Sequence, residues 1–501
     1  MVQASPAAVN RAEPKGQVVY GWHTAIAPAW LDPQENPQQL TPYGWQYFLH
    51  DAVIKHLPGQ PLAPSLAESY EVAPDLRSAT IRLREGIKFH DGSPVTPDDV
   101  KWTYENYKGA NASILKAKTD RLEILDQRTI RFLFKEPFPD FLILYGSPAS
   151  GAGWVVPAKY YQQVGPDGFK LKPIGAGPYK FVQQTGGTEY EFEAFTEYWR
   201  KTPHIKTLVV RALPEAATRV GALQTGEVDF INIVPGELIE TVRSNPNLRI
   251  APLAASAIWL DFPGLDEPDN PLSNVKARQA LSLALDRQAI SDAEEAGLSP
   301  LEGNWIPEDW PGAIKRPPPP HDPARARQLL AEAGFAGGFD LEALTPFPPY
   351  FSTAERIITQ LRDVGIRTRL QQMERGAFLE RLSAGPDALR GIVMNVSAAP
   401  GDAASRIRAF AMCQGSSSRT CIPEVEEKFS RYEASADLQE RERLLTEVQE
   451  YLLDNYIFVP VYRQAGIHAL GPRIANPDEV IAKLPQWGYP VGPYEDLKLK
   501  E

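Results

Sequence analysis

The chain has 501 residues, of which 43% are hydrophobic and 23% charged, and its net charge is −11 at pH 7. This length predicts roughly two to four domains, because single cores stop growing near about 250–300 residues. The composition is that of an ordinary soluble globular protein. The acidic balance and the lack of a basic stripe exclude a typical nucleic-acid-binding protein. No stretch approaches the ~18 apolar residues that a membrane span needs.

The N-terminus, residues 1–8, has no basic segment followed by an apolar one. It is typical of a mature chain from which a signal peptide has been removed, with a Met supplied for expression. The alternative from these residues alone is a cytosolic protein with a frayed tail.

Short apolar or alternating runs between turn residues predict β-strands along the chain. In the predicted strand 189–195, residues 189–194 alternate strictly between Glu and apolar side chains, which is typical of a sheet with one solvated face. Further strands are predicted at 17–22, 80–84, 129–135, 207–213, 366–370 and 457–462.

Helix starts are marked by side chains that cap the first turn. Thr96 precedes a Pro and two Asp residues, which predicts a helix that begins at residue 97. Asn274 and Asp322 predict helix starts in the same way, and the runs 353–364 and 438–456 are amphipathic. Helices and strands mix throughout, so the fold class is α/β or α+β.

The two cysteines, Cys413 and Cys421, flank a short loop rich in Ser and Gly. Such a loop brings two Cα atoms within bridging range, so we expect a disulfide and an extracytoplasmic compartment. The alternative is a pair of free thiols. A zinc site is not expected, because no His or further Cys has ligand spacing.

Several segments, in order along the chain, resemble the family 5 extracellular solute-binding proteins, which bind dipeptides, oligopeptides or nickel. The most specific matches are residues 66–75, 80–92 and 94–100, followed by a Gly-Ala-Gly-Pro-Tyr turn within 173–181. The resemblance covers roughly residues 16–500. The 80–92 segment has a structural explanation of its own, since Ile81, Leu83 and Ile87 supply a core face.

The resemblance implies an α/β, two-lobed periplasmic-binding-protein fold of the cluster C type. The first lobe would contain residues 16–260 and 470–501, with an extra subdomain inserted at about 43–170. The second lobe would contain residues 261–469, with a hinge near 260–266 and 467–472. A ligand would sit between the lobes and favour their closure about the hinge.

The function implied by the resemblance is capture of a small molecule, by default a peptide, and delivery to the permease subunits of an ABC transporter. We expect a periplasmic or extracellular monomer without cofactor or metal. We expect no enzyme, because the zinc-protease, nucleophile-elbow, phosphate-loop and dinucleotide motifs are absent. Bare nickel is disfavoured, because the seven His residues are dispersed.

Aromatic residues in predicted loops are candidate ligand contacts, because aromatic walls bury large flat areas at low entropic cost. Trp22 and His23 directly follow the first predicted strand, where the family's first-lobe contacts lie. The further aromatic candidates are Trp45, Trp259, Trp305 and Phe347. The alternative for each of these rings is packing in a core.

Residues 392–402 align with the place where peptide binders carry a Trp and then an Asp that pairs with the peptide ammonium. Here Asn395 and Ser397 stand near those positions, and Asp402 follows a few residues later. A buried ammonium without a carboxylate is costly, so a free peptide N-terminus is disfavoured unless Asp402 substitutes. Arg406 could bind an anionic group, or form a surface ion pair.

Two further interpretations stay open at this point. In the first, the ligand is not a peptide but an aromatic acid, a sugar derivative, an opine or a metal chelate. The same fold would also serve a ligand sensor for a signalling partner, and a secreted enzyme is the least favoured class.

The cysteine spacing gives a direct test. We expect no titratable thiol after denaturation under non-reducing conditions, in protein recovered from an oxidising compartment. Two titratable thiols per chain would count against the Cys413–Cys421 bridge.

Overall fold

The computed structural model describes residues 2–3, 13–35, 43–57, 60–147, 151–253, 256–385, 388–397, 401–481 and 492–500. The chain divides into two compact units. Residues 1–253 and 466–501 form the first unit, and residues 254–465 form the second. The polypeptide therefore passes from one unit to the other twice, at 253/254 and at 465/466.

These crossings come a few residues earlier than the predicted lobe boundaries after 260 and 469. The reason is strand pairing: residues 256–261 form a strand in a sheet of the second unit, and residues 467–470 form one in a sheet of the first. The hinge near 260–266 and 467–472 stays a prediction.

The first unit contains sheets with the strand orders β13-β20-β12-β2-β11-β10-β9, β1-β5-β6-β8-β7 and β3-β4. The strands are β1 (Val2–Gln3), β2 (Lys15–Trp22), β3 (Ile54–Leu57), β4 (Gln60–Pro64), β5 (Ala67–Val72), β6 (Ser78–Leu83), β7 (Thr119–Asp126), β8 (Thr129–Phe134), β9 (Tyr179–Thr185), β10 (Glu189–Ala194), β11 (Ile205–Ala212), β12 (Phe230–Ile231), β13 (Arg249–Pro252) and β20 (Ile467–Leu470). The helices are α1 (Tyr43–Leu49), α2 (Pro97–Asn106), α3 (Ala112–Lys118), α4 (Phe141–Tyr145), α5 (Ala158–Leu171), α6 (Ala216–Thr225), α7 (Gly236–Arg243) and α16 (Pro477–Val480).

Strand β2 lies in the interior of the seven-stranded sheet and runs parallel to both β11 and β12. Its last five residues are all buried, which explains the continuous apolar run in this part of the sequence. Towards the edge of the same sheet, β10 alternates between buried and more exposed residues, as its sequence predicts.

The sheet that contains β5 to β8 has a hydrophobic core of its own, which includes Ile81, Leu83, Ile87, Phe132 and Phe141. This core falls within the segment predicted as an inserted subdomain. Helix α2 begins as predicted: the Thr96 hydroxyl accepts from the Asp99 amide, and the Asp99 carboxylate accepts from the Thr96 amide. This reciprocal capping box satisfies two N–H groups at the helix start.

The second unit contains a four-stranded sheet of order β16-β18-β14-β19 and a small β15-β17 pair. The strands are β14 (Ser256–Asp261), β15 (Phe339–Asp340), β16 (Leu344–Pro346), β17 (Ile366–Arg367), β18 (Ile392–Ser397) and β19 (Phe458–Gln464). The helices are α8 (Val275–Ala284), α9 (Arg287–Glu295), α10 (Pro323–Glu332), α11 (Phe351–Asp363), α12 (Arg375–Ser383), α13 (Ala403–Phe410), α14 (Pro423–Ala434) and α15 (Leu438–Asp454).

Strand β14 is covered on both faces. Ile258 and Leu260 join one hydrophobic core, and Ala257 and Trp259 join a second core on the opposite face. Because successive side chains of a strand point to opposite faces, this single strand links the two halves of the unit. Trp259 therefore packs in a core, the alternative that the sequence left open for it.

The predicted disulfide is present. The sulfur atoms of Cys413 and Cys421 lie at bonding distance and their Cα atoms are 4.5 Å apart. The bridge closes the loop that follows α13, which ties that helix to the start of α14.

A buried carboxylate in the first unit connects the β3-β4 strand pair with the segment that follows β10. Asp51 has no exposed side-chain surface and accepts from Lys55 (2.7 Å), Ser65 (2.7 Å), Tyr198 (2.9 Å) and the indole N–H of Trp199 (2.6 Å). These donors come from segments far apart in sequence, so one carboxylate organises the contact between them.

We expect Asp51→Ala to lower the free energy of unfolding by about 3–5 kcal/mol, because it leaves the buried ammonium of Lys55 without its counter-charge. The measurement is the midpoint of thermal unfolding. Asp167→Ala is the control, since that side chain is fully exposed. Equal midpoints for the two variants would contradict this role of Asp51.

Candidate ligand-binding site

In the first unit, two polar side chains follow the carboxyl ends of neighbouring parallel strands. His23 comes directly after β2, and Asn232 directly after β12. The His23 amide donates to Oδ1 of Asn232 (3.1 Å), and Nδ2 of Asn232 lies 2.7 Å from Nδ1 of His23. In sheets with parallel strands, this edge is where ligands usually bind. His23 is partly exposed, whereas its neighbour Trp22 is buried against Tyr20.

The second unit has an equivalent edge. Strands β16 and β18 run parallel, and the residues at or just after their carboxyl ends are Phe347 and Ser397. Ser397 is paired with Ala257 near the start of β14, so this end of the sheet is also where the chain enters the unit. Phe347 and Ser397 are both partly exposed. These two predicted contacts are thus brought to one edge.

Arg375, at the start of α12, adds a positive charge to this edge. Its guanidinium carbon lies 4.9 Å from the centre of the Phe347 ring. Burial lowers the pKa of Arg375 from its usual value. Among the described residues no hydrogen bond or ion pair engages its guanidinium. A half-buried cation of this kind is a natural partner for an anionic group.

Tyr350 and Gln464 extend the same edge. The Gln464 side-chain amide donates to the Tyr350 hydroxyl (2.9 Å). The next residue, Ala465, donates its backbone N–H to Glu295 (2.9 Å). Burial raises the pKa of Glu295 to about 7, and hydrogen bonds from Ala465, Gln464 and Ser299 oppose this shift only in part. Glu295 therefore titrates near neutral pH at the point where the chain leaves the second unit.

A cage of aromatic rings surrounds Arg406 on one side of the β14 sheet. The guanidinium carbon lies 4.7 Å from the ring centre of Trp259 and 4.8 Å from that of Trp310. The rings of Trp305 and Phe410 lie further away, at 5.8 and 5.7 Å. Arg406, Trp259 and Trp305 have no exposed surface. Cation–π attraction thus stabilises a charge inside the core.

The hydrogen bonds of Arg406 go to backbone carbonyls of Trp305 (3.4 Å) and Ser397 (3.0 Å). In the part of the chain that the structure describes, no carboxylate lies within ion-pair distance of its guanidinium. Burial lowers its pKa to about 9. The alternative of a surface ion pair for Arg406 is therefore wrong. Contact of Trp259, Trp305 or Arg406 with a ligand would require the cage to open, and stays a prediction.

Asn395 and Asp402 have structural partners. Asn395 donates to Asp261 (3.0 Å), which also pairs with Arg419 (2.6 Å), and all three side chains are buried. Asp402 caps α13 by accepting from the Ser405 amide (2.8 Å). Both residues hold the loop and helix that follow β18, and their predicted contact with a ligand stays a prediction.

The remaining predicted contact is Trp45, whose side chain lies outside the described residues. Residues that the sequence interpretation missed are Arg375, Gln464 and Asn232. Strand pairing places Asn232 at the edge of the first unit and Gln464 at that of the second, and Arg375 is located by its contact with the Phe347 ring.

Two other kinds of feature, a metal site and a membrane span, are absent from the described residues. No group of three or more His, Cys, Asp or Glu side chains is arranged to hold a metal ion. No described helix is long and apolar enough to cross a membrane.

Residues 61–418 match the model of the bacterial extracellular solute-binding proteins, family 5. The chain belongs to this family. The glutathione-binding protein GsiB of Pectobacterium atrosepticum is 30% identical over 321 residues. That match covers 62% of this chain and 61% of the relative, so it spans about three fifths of each protein.

Solved structures show the same fold over nearly the whole chain. The ABC transporter substrate-binding protein CtaP of Listeria monocytogenes has a TM-score of 0.84 at 21% identity, covering 98% of this chain and all of that one. NikA of Brucella suis, solved with Fe(III)-EDTA, has a TM-score of 0.81 at 20% identity, covering 97% and 100%. At these identities the likeness establishes the two-lobed α/β fold of the family.

The shifted pKa of Glu295 predicts that the free energy of unfolding depends on pH. The carboxyl is protonated in the folded state up to about pH 7 and ionised above about pH 4.5 in the unfolded state. Its contribution to stability is therefore fully present below about pH 4.5 and is lost as the pH rises through about 7.

We expect the free energy of unfolding to fall by on the order of 3 kcal/mol over this pH range. The Glu295→Gln variant should not show this fall. The measurement is chemical denaturation at several pH values between 4 and 8. Glu342→Gln, at an exposed position of the same unit, should keep the wild-type profile. If Glu295→Gln keeps the pH dependence of the wild type, Glu295 is not the group that causes it.

Proposed function

We propose that the protein is the solute-binding component of an ABC importer, which captures a small molecule and presents it to permease subunits. Membership of the family 5 solute-binding proteins is the observation that carries this proposal. The clustering of partly exposed polar and aromatic residues at strand ends of each unit supports it. Binding and release need no chemistry, and the proposed role is transport rather than catalysis.

The proposed compartment is periplasmic or extracellular. The Cys413–Cys421 disulfide supports it, because disulfides persist in oxidising compartments. The family description, bacterial extracellular solute-binding proteins, points to the same location.

The proposed ligand carries an anionic group that Arg375 binds. A guanidinium that is half-buried and has no counter-ion among the described residues gains most from a carboxylate that completes its hydrogen bonds. Phe347, directly beneath it, offers a flat apolar surface for the adjacent part of the ligand.

Peptides remain the default ligand class, because a peptide brings a terminal carboxylate. GsiB is named for glutathione, and NikA was solved with Fe(III)-EDTA, which is also rich in carboxylates. The residue at which peptide binders hold the ammonium lacks an acid here, and Asp402 is engaged in capping α13. This favours recognition through the acidic end of the ligand, and leaves opines and aromatic acids as non-peptide candidates.

A thermal-shift screen tests the proposal with glutathione, dipeptides, aromatic acids, opines and Fe(III)-EDTA. A ligand at 100 times its dissociation constant should stabilise the folded protein by about 2.7 kcal/mol. We expect the Arg375→Ala variant to bind the best anionic hit at least about tenfold more weakly than the wild type, because a charge-assisted hydrogen bond is lost.

Arg381→Ala is the matched control, because Arg381 is an exposed arginine of the same helix. It should bind like the wild type. If Arg375→Ala and the wild type bind every anionic hit with equal affinity, Arg375 does not contact the ligand. A complete absence of hits across the screen would count against the transport function itself.

A further inference from the structure

A buried carboxyl group lies beside the edge of the second unit that carries Arg375. Glu295, the last residue of α9, is 8% exposed. It accepts from the backbone N–H of Ala465 (2.9 Å), and the side chains of Ser299 and Gln464 donate further hydrogen bonds to it. Among the described residues, no Lys, Arg or His lies within ion-pair distance of this carboxyl group. When it is ionised, its charge is therefore stabilised by neutral donors alone.

Gln464 and Tyr350 connect this carboxyl group with the Arg375 edge. The side-chain amide of Gln464 has two N–H groups, and it donates both to Glu295 and to the Tyr350 hydroxyl (2.9 Å). Burial raises the pKa of Tyr350, and the hydrogen bond from Gln464 lowers it. Of the nearby charges, Glu295 raises this pKa and Arg375 lowers it. The Tyr350 hydroxyl thus lies within the electrostatic field of both charged groups.

The other ionisable groups around Glu295 do not compensate its charge. On α9 itself, Glu294 is paired with Arg356 of α11. From β19, Tyr462 acts on the same region, and burial raises its pKa well above the usual value, so this phenol stays neutral. Arg463, on the opposite face of β19, is paired with two other carboxylates. A change in the protonation of Glu295 is therefore a change in the net charge beside the edge.

Ionisation of Glu295 weakens the attraction between Arg375 and an anion. Charges inside a protein interact with an effective dielectric constant of about 20, far below that of water. The exposed Glu374, beside Arg375, is screened more strongly because it faces solvent. Burial raises the pKa of Glu295 to about 7, so this group changes charge near neutral pH. An anion at Arg375 therefore lies near a neutral group in weakly acidic solution and near a negative one in weakly basic solution.

We propose that an anionic ligand at Arg375 and a proton at Glu295 bind cooperatively. Gln464 and Tyr350 connect the two groups. The inference rests on the anion site of the proposed function and adds to it a dependence on pH. Capture is tightest in weakly acidic solution, and release is favoured as the pH rises through neutrality. By reciprocity, an anion that binds near neutral pH takes up a proton from the solvent.

Isothermal titration calorimetry on the full chain at pH 5.5 and 8 tests the cooperativity with glutathione and benzoate, whose carboxylates stay ionised over this range. We expect the wild type to bind each probe that it recognises at least about threefold more weakly at pH 8 than at pH 5.5. Glu295→Gln, which is neutral at both pH values, should bind at pH 8 as the wild type does at pH 5.5. Glu342→Gln, at an exposed position of the same unit, should keep the wild-type dependence.

A second measurement needs no ligand. Because Arg375 attracts the ionised carboxyl group, we expect Arg375→Met to raise the midpoint of the Glu295 titration by at least about 0.5 pH unit, which is about threefold. Carbon-13 NMR of glutamate-labelled protein measures this midpoint. The Glu295 signal is assigned by its absence in Glu295→Gln, or in Glu295→Asp if the first variant does not fold. Arg381→Met, at an exposed arginine of the same helix, should leave the midpoint unchanged.

An unchanged midpoint in Arg375→Met would overturn the proposal, and so would equal affinity of the wild type at the two pH values. If Glu295→Gln keeps the wild-type dependence, the proton binds elsewhere, with His23 of the first unit as the next candidate, and the proposal is wrong. If neither probe binds at pH 5.5, the anion site of the proposed function is contradicted. A midpoint that still responds to Arg375→Met distinguishes that failure from a failure of the coupling.

Discussion

Parallel strand pairing is the constraint on which both candidate edges depend. In the first unit, β2 pairs in parallel with β12, which brings His23 and Asn232 together from positions more than 200 residues apart. In the second unit, the parallel pair of β16 and β18 does the same for Phe347 and Ser397. Because parallel strands need long crossovers, residues at their carboxyl ends are always distant in sequence. The edges are also where the chain passes between the units, so the candidate binding residues and the connections share the same ends of the sheets.

Several charged side chains are buried in the two units, and each is stabilised in its own way. Asp51 collects donors from four side chains, and Asp261 is paired with Arg419. Arg406 instead relies on aromatic faces and backbone carbonyls. In each case the cost of removing a charge from water is offset by directed contacts, which also specify how the surrounding elements pack. Arg375 differs, because it is only half-buried and its guanidinium has no such set of partners among the described residues.

The elements themselves were largely readable from the chain. The helix cap at Thr96, the alternation along β10 and the Asp322 cap of α10 were all predicted and are all confirmed. These signals are local, since a cap or a period of two depends on residues within one turn or one strand. Burial could not be predicted in the same way. Six of the proposed ligand contacts are buried, among them Asn395, which binds Asp261, and Asp402, which caps a helix, and their contact with a ligand stays a prediction.

By itself, the sequence determined the family, the α/β class, the disulfide and the starts of several helices, because these depend on short motifs and on the period of apolar residues. Only the tertiary structure decided which aromatic and charged residues are packed in cores and which reach a sheet edge. A Trp or an Arg has the same local pattern in both situations. Its exposure depends on strands and helices that lie far away in the chain, and this is why Arg375 could be recognised only once the chain was folded.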